Sequence, residues 1–338
     1  QTDDDPRFVR CWWEVPPSLL GNRYQWYAMN GDPVDFYHST EKVIDWENDG
    51  ATVIEYEDSY PRNPSFYGKA GLTFRYSSSH FIGRDHPDGH IHSHTAHMVT
   101  TETRETDRTL LGHLNSSLSR YILDGLNPGL RFEKGDVEKL PSTTITDYRP
   151  RLSELASAAI DSRNTWFELV ESKVEFEPQT FLNAIGSLPY RQELMEADIA
   201  TISHQIDTVV FDYYDISPEE RSRVTQDFPA RHGGYPHVTN VGTIPETNDH
   251  RNRVPREEYD SEAYEKLLEE IEVRADDPVN EVASALEVSP YTVAIARQKH
   301  DLYSEAARED AAARIVSYLL GELFGRWTAI PDLDRVDD

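Results

Sequence analysis

The most constraining feature of the chain is a segment, residues 110–141, in which a helical pattern of apolar residues ends at a proline–glycine stop. The apolar residues recur at the spacing of one helix face: Leu110, Leu111, Leu114, Leu118, Tyr121, Ile122 and Leu126. At Asn127-Pro128-Gly129 the helix must end, because proline cannot continue the hydrogen-bond ladder and glycine tolerates the exit turn. We therefore predict one amphipathic helix over residues 110–126, packed on a sheet and followed by a short extended piece at 130–132.

The charge balance is far from neutral. The 338 residues include 33 basic and 61 acidic side chains, which gives a net charge of −28, and only seven of the basic residues are lysines. Acidic side chains keep a surface hydrated in molar salt, where the Debye length is about 3 Å and screens their repulsion. Because aromatic residues make up 11% of the chain, the acidity does not indicate disorder. The composition predicts a folded, halophilic protein.

Cysteine usage and hydropathy exclude several classes of protein. The single cysteine, Cys11, rules out an internal disulfide and a cysteine-based zinc site. No apolar run approaches the roughly 18 residues of a membrane span. The N-terminal sequence QTDDDPRF has none of the features of a signal peptide, so we expect a cytoplasmic protein, and we expect Gln1 to lie at the cut edge of a larger chain or of a processed form.

Local patterns divide the chain into four parts and predict an α+β fold. Residues 1–141 form a mixed, strand-dominated domain, in which the runs 43–46 and 52–56 flank the turn signal Asn48-Asp49-Gly50 as a hairpin, and 72–76 forms another strand. Residues 142–228 form a helical connector with helices near 152–170, near 190–214 and from Ser217-Pro218 onward. A linker or long loop at 229–257 and a helical domain at 258–338 complete the chain.

Four stretches, in order, resemble one protein family. They are 66–91, 110–141, 206–224 and 315–327. They are similar to the target-recognition domain, the helical segment after it and the C-terminal motif of large adenine-specific DNA methyltransferases. These are the BREX phage-defence methyltransferases of the phage-growth-limitation X type and related type IIG restriction–modification enzymes. The resemblance implies that the chain docks double-stranded DNA and selects a short site.

The motifs of methyl transfer itself are missing from the sequence. An adenine-N6 methyltransferase needs a glycine-rich turn for S-adenosylmethionine and an Asn-Pro-Pro-Tyr loop for the extruded adenine. Asn127-Pro128-Gly129 lacks the second proline and the aromatic residue, and Asn30-Gly31-Asp32 is only a turn. We therefore expect no catalytic residue and no bound cofactor in this chain. The resemblance implies S-adenosylmethionine in a separate catalytic half, which would be a partner together with DNA and other phage-defence proteins.

Residues 60–99 form the predicted DNA-reading surface. This segment carries a local charge of +2, because four basic residues face only Asp85 and Asp88. Arginine reads guanine and grips phosphate, and hydroxyl and imidazole groups add hydrogen bonds. The predicted contacts are Arg62, Lys69, Arg75, Ser77, Ser78, His80 and Arg84. The alternative is a loop whose arginines pair with acidic neighbours.

Two other segments suggest different functions. His90, His92 and His94 would share one face of a strand, and with His86 and His97 they suggest a histidine-bound metal of a hydrolase; we expect solvated or DNA-facing histidines instead. Residues 277–299 resemble a helix-turn-helix, which would make the chain a non-enzymatic DNA-binding or adaptor protein. Residues 321–327 are read as packing residues. The sequence has no GxSxG, Walker or HExxH motif.

Overall fold

The computed structural model describes residues 5–57, 59, 61, 63–141, 149–227 and 305–325, and these form the predicted α+β fold. The strands are β1 (Val9–Cys11), β2 (Tyr24–Ala28), β3 (Lys42–Asp45), β4 (Gly71–Arg75), β5 (Gly83–His86), β6 (Ile91–His92) and β7 (Ala96–Val99). The helices of the first half are α1 (Asp5–Phe8), α2 (Glu47–Ile54), α3 (Arg104–Asn115), α4 (Ser117–Leu126) and α5 (Lys134–Val137). Those of the second half are α6 (Arg149–Phe167), α7 (Pro178–Ala184), α8 (Leu188–Tyr213), α9 (Pro218–Asp227) and α10 (Glu305–Leu323).

Two small sheets carry the strands. The first has the order β1-β3-β2-β6, with β3 antiparallel to both of its neighbours and β6 parallel to β2. The second has the order β5-β4-β7 and is antiparallel throughout. Its central strand, β4, confirms the strand predicted at 72–76, and Leu72 and Phe74 point into the main core. A separate small core lies under the first sheet and includes Phe8, Tyr27, Ile44, Val53 and Ile91.

The predicted hairpin around Asn48-Asp49-Gly50 is wrong in its second half. The turn signal is real, because all three residues adopt positive φ angles. The chain that follows is the last turn of α2, however, and not a strand. Strand β3 already pairs with β1 on one edge and β2 on the other, so no edge is left for a hairpin partner. Val53 instead packs into the small core.

The single helix predicted over 110–126 is in fact two helices, α3 and α4. Ser116 has an extended backbone (φ −63°, ψ 153°), ends α3 and caps α4, and its Oγ accepts a hydrogen bond from the Ser119 amide at 3.2 Å. The neighbouring Ser117 donates from its amide and its hydroxyl to the two carboxylate oxygens of Asp207, both at 2.6 Å. The polar run Asn115-Ser116-Ser117 therefore divides the helix with a capped break, although the apolar spacing continues from Leu114 to Leu118.

The helices of the second half share one core with the second sheet. The predicted helices near 152–170, near 190–214 and from Pro218 are confirmed as α6, α8 and α9. Helix α6 lies close against α3 at Gly112, where an added Cβ would come within 3.3 Å of the Leu152 carbonyl. One core cluster includes residues from Phe36 to Tyr318. Tyr318 belongs to α10, and its ring stacks on the ring of Phe181 in α7. The domain boundary at 141 stays a prediction, and this core crosses it.

Some predictions fall outside the described residues. The linker at 229–257, the helix-turn-helix at 277–299 and most of the 258–338 domain belong to this group, and only α10 and the two residues after it are described there. Within the described part of the chain, none of the helices combines the length and apolar character that crossing a membrane would require.

Candidate nucleic-acid interface

Three loops meet at the end of the second sheet where β4 runs into β5. We define the loop cluster as residues 30–32, 76–80 and 127–131. Its members are tied together by backbone groups: the Ser78 amide donates to the Leu130 carbonyl at 2.9 Å, and the Phe132 amide donates to the Tyr76 carbonyl at 2.8 Å. The Asn30 amide group reaches the Ser77 carbonyl at 3.4 Å. The loop cluster is therefore a single surface built from distant parts of the sequence.

Arg75 is the last residue of β4 and stands beside the loop cluster. Its Nη1 donates to the Gly31 carbonyl at 2.9 Å, and its Nε makes no hydrogen bond to any described residue. Partial burial lowers the pKa of Arg75 from its ordinary value. Among the described residues the guanidinium is thus held by one hydrogen bond, and its unpartnered Nε is itself buried.

The predicted serines and His80 lie in the same loop cluster. Ser77 is exposed, and its backbone forms an isolated antiparallel β-bridge with Arg131. Ser79 Oγ lies 3.1 Å from His80 Nδ1. The structure therefore brings together four of the seven predicted contacts: Arg75, Ser77, Ser78 and His80.

Arg84 has a different role from the one that the sequence predicted. Its side chain is buried, with 5% of the residue exposed. It donates to three backbone carbonyls, from Nε to Val34 at 2.7 Å, from Nη1 to Asn30 at 2.6 Å, and from Nη2 to Asp32. Burial lowers the pKa of Arg84 to about 9. All three nitrogen atoms of the guanidinium bond to the 30–34 turn, so Arg84 stabilises one loop of the loop cluster. Because it is buried, it does not belong to the contact surface.

The remaining predicted contacts do not join this surface. Lys69 is exposed, and its Nζ lies 5.4 Å from the Phe66 ring centroid. It precedes β4 while Arg75 ends it, which places the two about 20 Å apart at roughly 3.3 Å per residue. Arg62 lies outside the described residues.

An exposed arginine that the sequence reading missed belongs to the loop cluster. The guanidinium carbon of Arg131 lies 5.6 Å from the ring centroid of Tyr76, and Tyr76 stacks on His97 at 5.3 Å with an interplanar angle of 4°. The available signal was the β4 alternation, because Leu72, Phe74 and Tyr76 share one face. Nothing local in the sequence could place Arg131 over that face, because 55 residues of chain separate it from Tyr76.

The histidines form a cluster, but not on the predicted strand face. The ring of His86 lies 5.8 Å from that of His90 and 6.2 Å from that of His92. Burial is the main cause that lowers the pKa of His86 to about 3 and that of His92 to about 4. Within the described residues, no group of three or more His, Cys, Asp or Glu side chains is arranged to hold a metal ion.

The Asn127 turn does not fit the role of an adenine-holding loop. The Asn127 side chain donates to the Arg131 carbonyl at 2.5 Å and to Asp136 at 2.8 Å, and it accepts from the Gly129 amide at 3.1 Å. These bonds occupy the amide within its own loop. No step of methyl transfer is therefore assigned to these residues.

Comparison with known proteins finds two similar curated proteins, while no family model matches the chain. The chain is 24% identical over 191 residues to the adenine-specific methyltransferase BrxX of Escherichia coli O9:H4 (strain HS). It is 24% identical over 258 residues to the adenine-specific methyltransferase PglX of Lacticaseibacillus casei (strain Zhang). The similarity supports a relationship to these methyltransferases.

The matched regions differ greatly in the share that they cover. They take in 54% and 66% of this chain, but only 16% and 21% of BrxX and PglX respectively. The chain thus spans about a fifth or less of the length of either relative. The activity of the whole relatives does not follow from such a match.

Proposed function

We propose that this chain is the DNA target-recognition part of a site-specific adenine-N6 DNA methyltransferase of phage defence. The observation that carries the proposal is the similarity to BrxX and PglX over a limited part of their length. The loop cluster agrees with it, because Arg75, Arg131 and the loop hydroxyls offer hydrogen-bond donors on one surface. The partners would be double-stranded DNA, the catalytic half and other phage-defence proteins, in the cytoplasm.

A chain with a net charge of −28 can bind DNA only if positive charges are concentrated at the contact surface and the other, negative charges are screened. The positive charges are those of Arg131 in the loop cluster and Arg75 beside it, and the carboxylate of Asp32 in the same loop cluster acts electrostatically on Arg75. Beyond a Debye length of about 10 Å at 0.1 M salt, the remaining acidic surface acts weakly on the phosphates. Contact with DNA would therefore rest on short-range donors and would tolerate a high ionic strength better than long-range attraction does.

The catalytic half would lie outside this chain. The sequence has no glycine-rich cofactor turn and no Asn-Pro-Pro-Tyr loop, and Asn127 is committed to its own turn. S-adenosylmethionine, which supplies the methyl group, would bind to the catalytic half. The present residues would choose the site and orient the duplex.

The first test measures binding of short labelled duplexes to the full chain by fluorescence anisotropy. Arg75→Gln should weaken binding and relax preference at one base pair if Arg75 reads a guanine, by roughly 5- to 150-fold, equivalent to about 1–3 kcal/mol. If Arg75 contacts only phosphate, binding to all sequences should weaken alike, and the slope of the logarithm of the binding constant against the logarithm of the salt concentration should decrease by about one. Arg131→Gln tests the second arginine in the same way.

The matched control is Arg223→Gln on α9, since this arginine is exposed, pairs with Glu219 at 2.8 Å and belongs to none of the three loops of the loop cluster. It should leave duplex binding unchanged. Equal binding by wild type, Arg75→Gln and Arg131→Gln would overturn the assignment of the interface.

The second test asks whether the chain transfers methyl groups. With labelled S-adenosylmethionine and mixed duplex DNA, the chain alone should give no labelled product, and addition of a catalytic half with the missing motifs should give site-specific N6-methyladenine. Methylation by the chain alone would contradict the proposed division of labour.

A further inference from the structure

A cavity of about 540 Å³ lies between the two sheets. Its walls come from β2, β3, β6 and β7 and from residues 59, 61, 63, 66 and 67, with α3 and α5 closing it. Its size falls within the roughly 300–1,000 Å³ of sites that take small organic molecules. None of the functional assignments above uses it.

Half-buried aromatic rings form one wall of this cavity. The ring of Tyr67 contacts Trp46 edge-on at 5.4 Å and His92 edge-on at 5.1 Å. Trp46 is held against Gly50, where an added Cβ would lie 2.7 Å from the indole. Gly50 also has a φ of +76°, so this close approach is built into the backbone. Fixed aromatic side chains are the surfaces on which nucleobases stack.

Two buried polar atoms on the cavity walls make no hydrogen bond within the described part of the chain. They are Nδ1 of His92 and Oγ of Ser59. The imidazole is neutral at pH 7, because burial lowers its pKa to about 4, so it offers one donor and one acceptor. Buried polar groups are normally satisfied. Each of these two atoms has less than 1 Å² of accessible surface, so an occupant of the cavity could bond to them only after the side chain turns toward it.

The charges on the walls favour an uncharged occupant. Lys134 and Glu138 line the cavity, and they pair with each other at 3.1 Å. The neutral imidazole of His92 adds no charge. An anion would therefore find no unpaired cation among these residues, whereas a flat heteroaromatic ring meets aromatic faces and hydrogen-bonding groups together.

The cavity adjoins the loop cluster. His97 lines the cavity and stacks on Tyr76, whose ring lies beneath the Arg131 guanidinium. The side chains of Arg131, Tyr76 and His97 therefore contact one another in sequence from the exposed surface to the cavity wall. A nucleotide held at the loop cluster would lie next to these side chains.

We propose that this cavity binds a single nucleobase, supplied by an unstacked DNA nucleotide or by a free nucleoside. The DNA source rests on the proposed function, whereas binding of the free nucleoside does not. The base would stack against Trp46 or Tyr67, and it would exchange hydrogen bonds with His92 and Ser59 once these two side chains turn toward the cavity.

The first arm of the test measures binding of deoxyadenosine, deoxyguanosine, deoxycytidine and thymidine to the full chain by ligand-observed NMR. At least one nucleoside should bind, and His92→Leu should weaken its binding about tenfold, as expected for a lost buried hydrogen bond. The matched control is His90→Leu, because His90 belongs to the same histidine cluster but does not line the cavity. Ser59→Ala decides the outcome if His92→Leu fails to fold.

The second arm identifies the source of the base. A duplex with one mismatched pair extrudes a base more cheaply than a fully paired duplex, so it should bind about tenfold more tightly if the cavity takes a DNA base. His92→Leu should remove that preference. Nucleoside binding without any mismatch preference would assign the cavity to a free nucleoside and would leave the cavity proposal standing even if the DNA-recognition proposal fails.

The proposal is overturned if none of the four nucleosides binds, or if His90→Leu weakens binding as much as His92→Leu and Ser59→Ala do. Loss of duplex binding in Arg75→Gln with nucleoside binding intact would show that the interface and the cavity are separate features.

Discussion

At the scale of single residues, two buried arginines share one partly buried carboxylate. Asp35 accepts from Arg120 Nη2 at 2.9 Å and from Arg163 Nη2 at 3.0 Å, and so joins the 30–36 segment to α4 and α6. Burial alone would raise the pKa of Asp35, but the two guanidinium groups outweigh it and hold the pKa well below its usual range. The two arginines therefore favour the charged form of the carboxylate.

Asp35→Asn should destabilise the fold by about 3–5 kcal/mol, because it removes the negative charge that two buried guanidinium groups share. Chemical denaturation at pH 7 measures the loss. The control is Asp212→Asn, which removes half of a surface pair with Arg221 at 2.6 Å and should cost less than about 1 kcal/mol. Similar losses in the two variants would refute the special role of Asp35.

The sequence could not reveal this clamp. Asp35 lies 85 residues from Arg120 and 128 residues from Arg163, and in the sequence each looks like an ordinary solvated charge. The same holds for Arg84, whose local surroundings predicted a DNA contact but whose three bonds go to the backbone of a turn 50 or more residues earlier. Exposure of a charged residue depends on tertiary packing, which a local pattern does not contain.

At the scale of elements, periodicity identified the long helices but not where they break. Helices α6 and α8 were predicted because each keeps one apolar face over several turns. Helix α9 was predicted from its start at Ser217-Pro218, and Ser217 caps it as expected, accepting from the Glu220 amide at 3.3 Å. The break between α3 and α4 escaped prediction because the apolar spacing continues across Ser116. What decides it is Asp207, supplied by α8 from 90 residues away.

Asp207→Ala should therefore cost about 2–3 kcal/mol, because it removes a carboxylate that accepts two buried hydrogen bonds from Ser117. Urea denaturation of the purified chain measures the cost. Glu219→Ala on the exposed face of α9 is the control, and it should change the free energy of unfolding by under about 1 kcal/mol. If Asp207→Ala is as stable as the control, the capped break does not depend on the contact with α8.

At the scale of the whole molecule, buried histidines should make stability depend on pH. Burial lowers the pKa of His86 to about 3 and those of His92 and His113 to about 4, whereas unfolded histidine titrates near 6.5. A depressed pKa contributes stability that is fully present above the unfolded pKa and is lost as pH falls. Below about pH 6.5 the unfolded chain binds more protons than the folded chain.

Between pH 7.5 and pH 5.5, where most carboxylates stay ionised, the free energy of unfolding should therefore decrease. The slope approaches about 1.4 kcal/mol per pH unit for each extra proton bound by the unfolded state. Urea denaturation at several pH values measures it, and His86→Gln should lower the slope by up to one proton. A constant free energy of unfolding across this window would refute the burial of neutral histidines.

The net charge of −28 should make folding depend on salt over the entire molecule. At 0.01 M salt the Debye length is about 30 Å, so nearly every carboxylate repels the others, whereas at 1 M it is about 3 Å and repulsion is confined to close neighbours. The melting temperature should therefore climb steeply from low salt toward the molar range.

Sucrose at equal osmolality separates this effect from solute exclusion, because it strengthens burial without screening charge. The triple variant Glu55→Gln, Glu57→Gln, Glu102→Gln removes three exposed charges, so it should raise the melting temperature at 0.01 M salt and change it little at 1 M. A melting temperature that is flat from 0.01 M to 1 M salt would contradict adaptation to high salt, since self-repulsion of this size cannot be relieved without a measurable gain in stability.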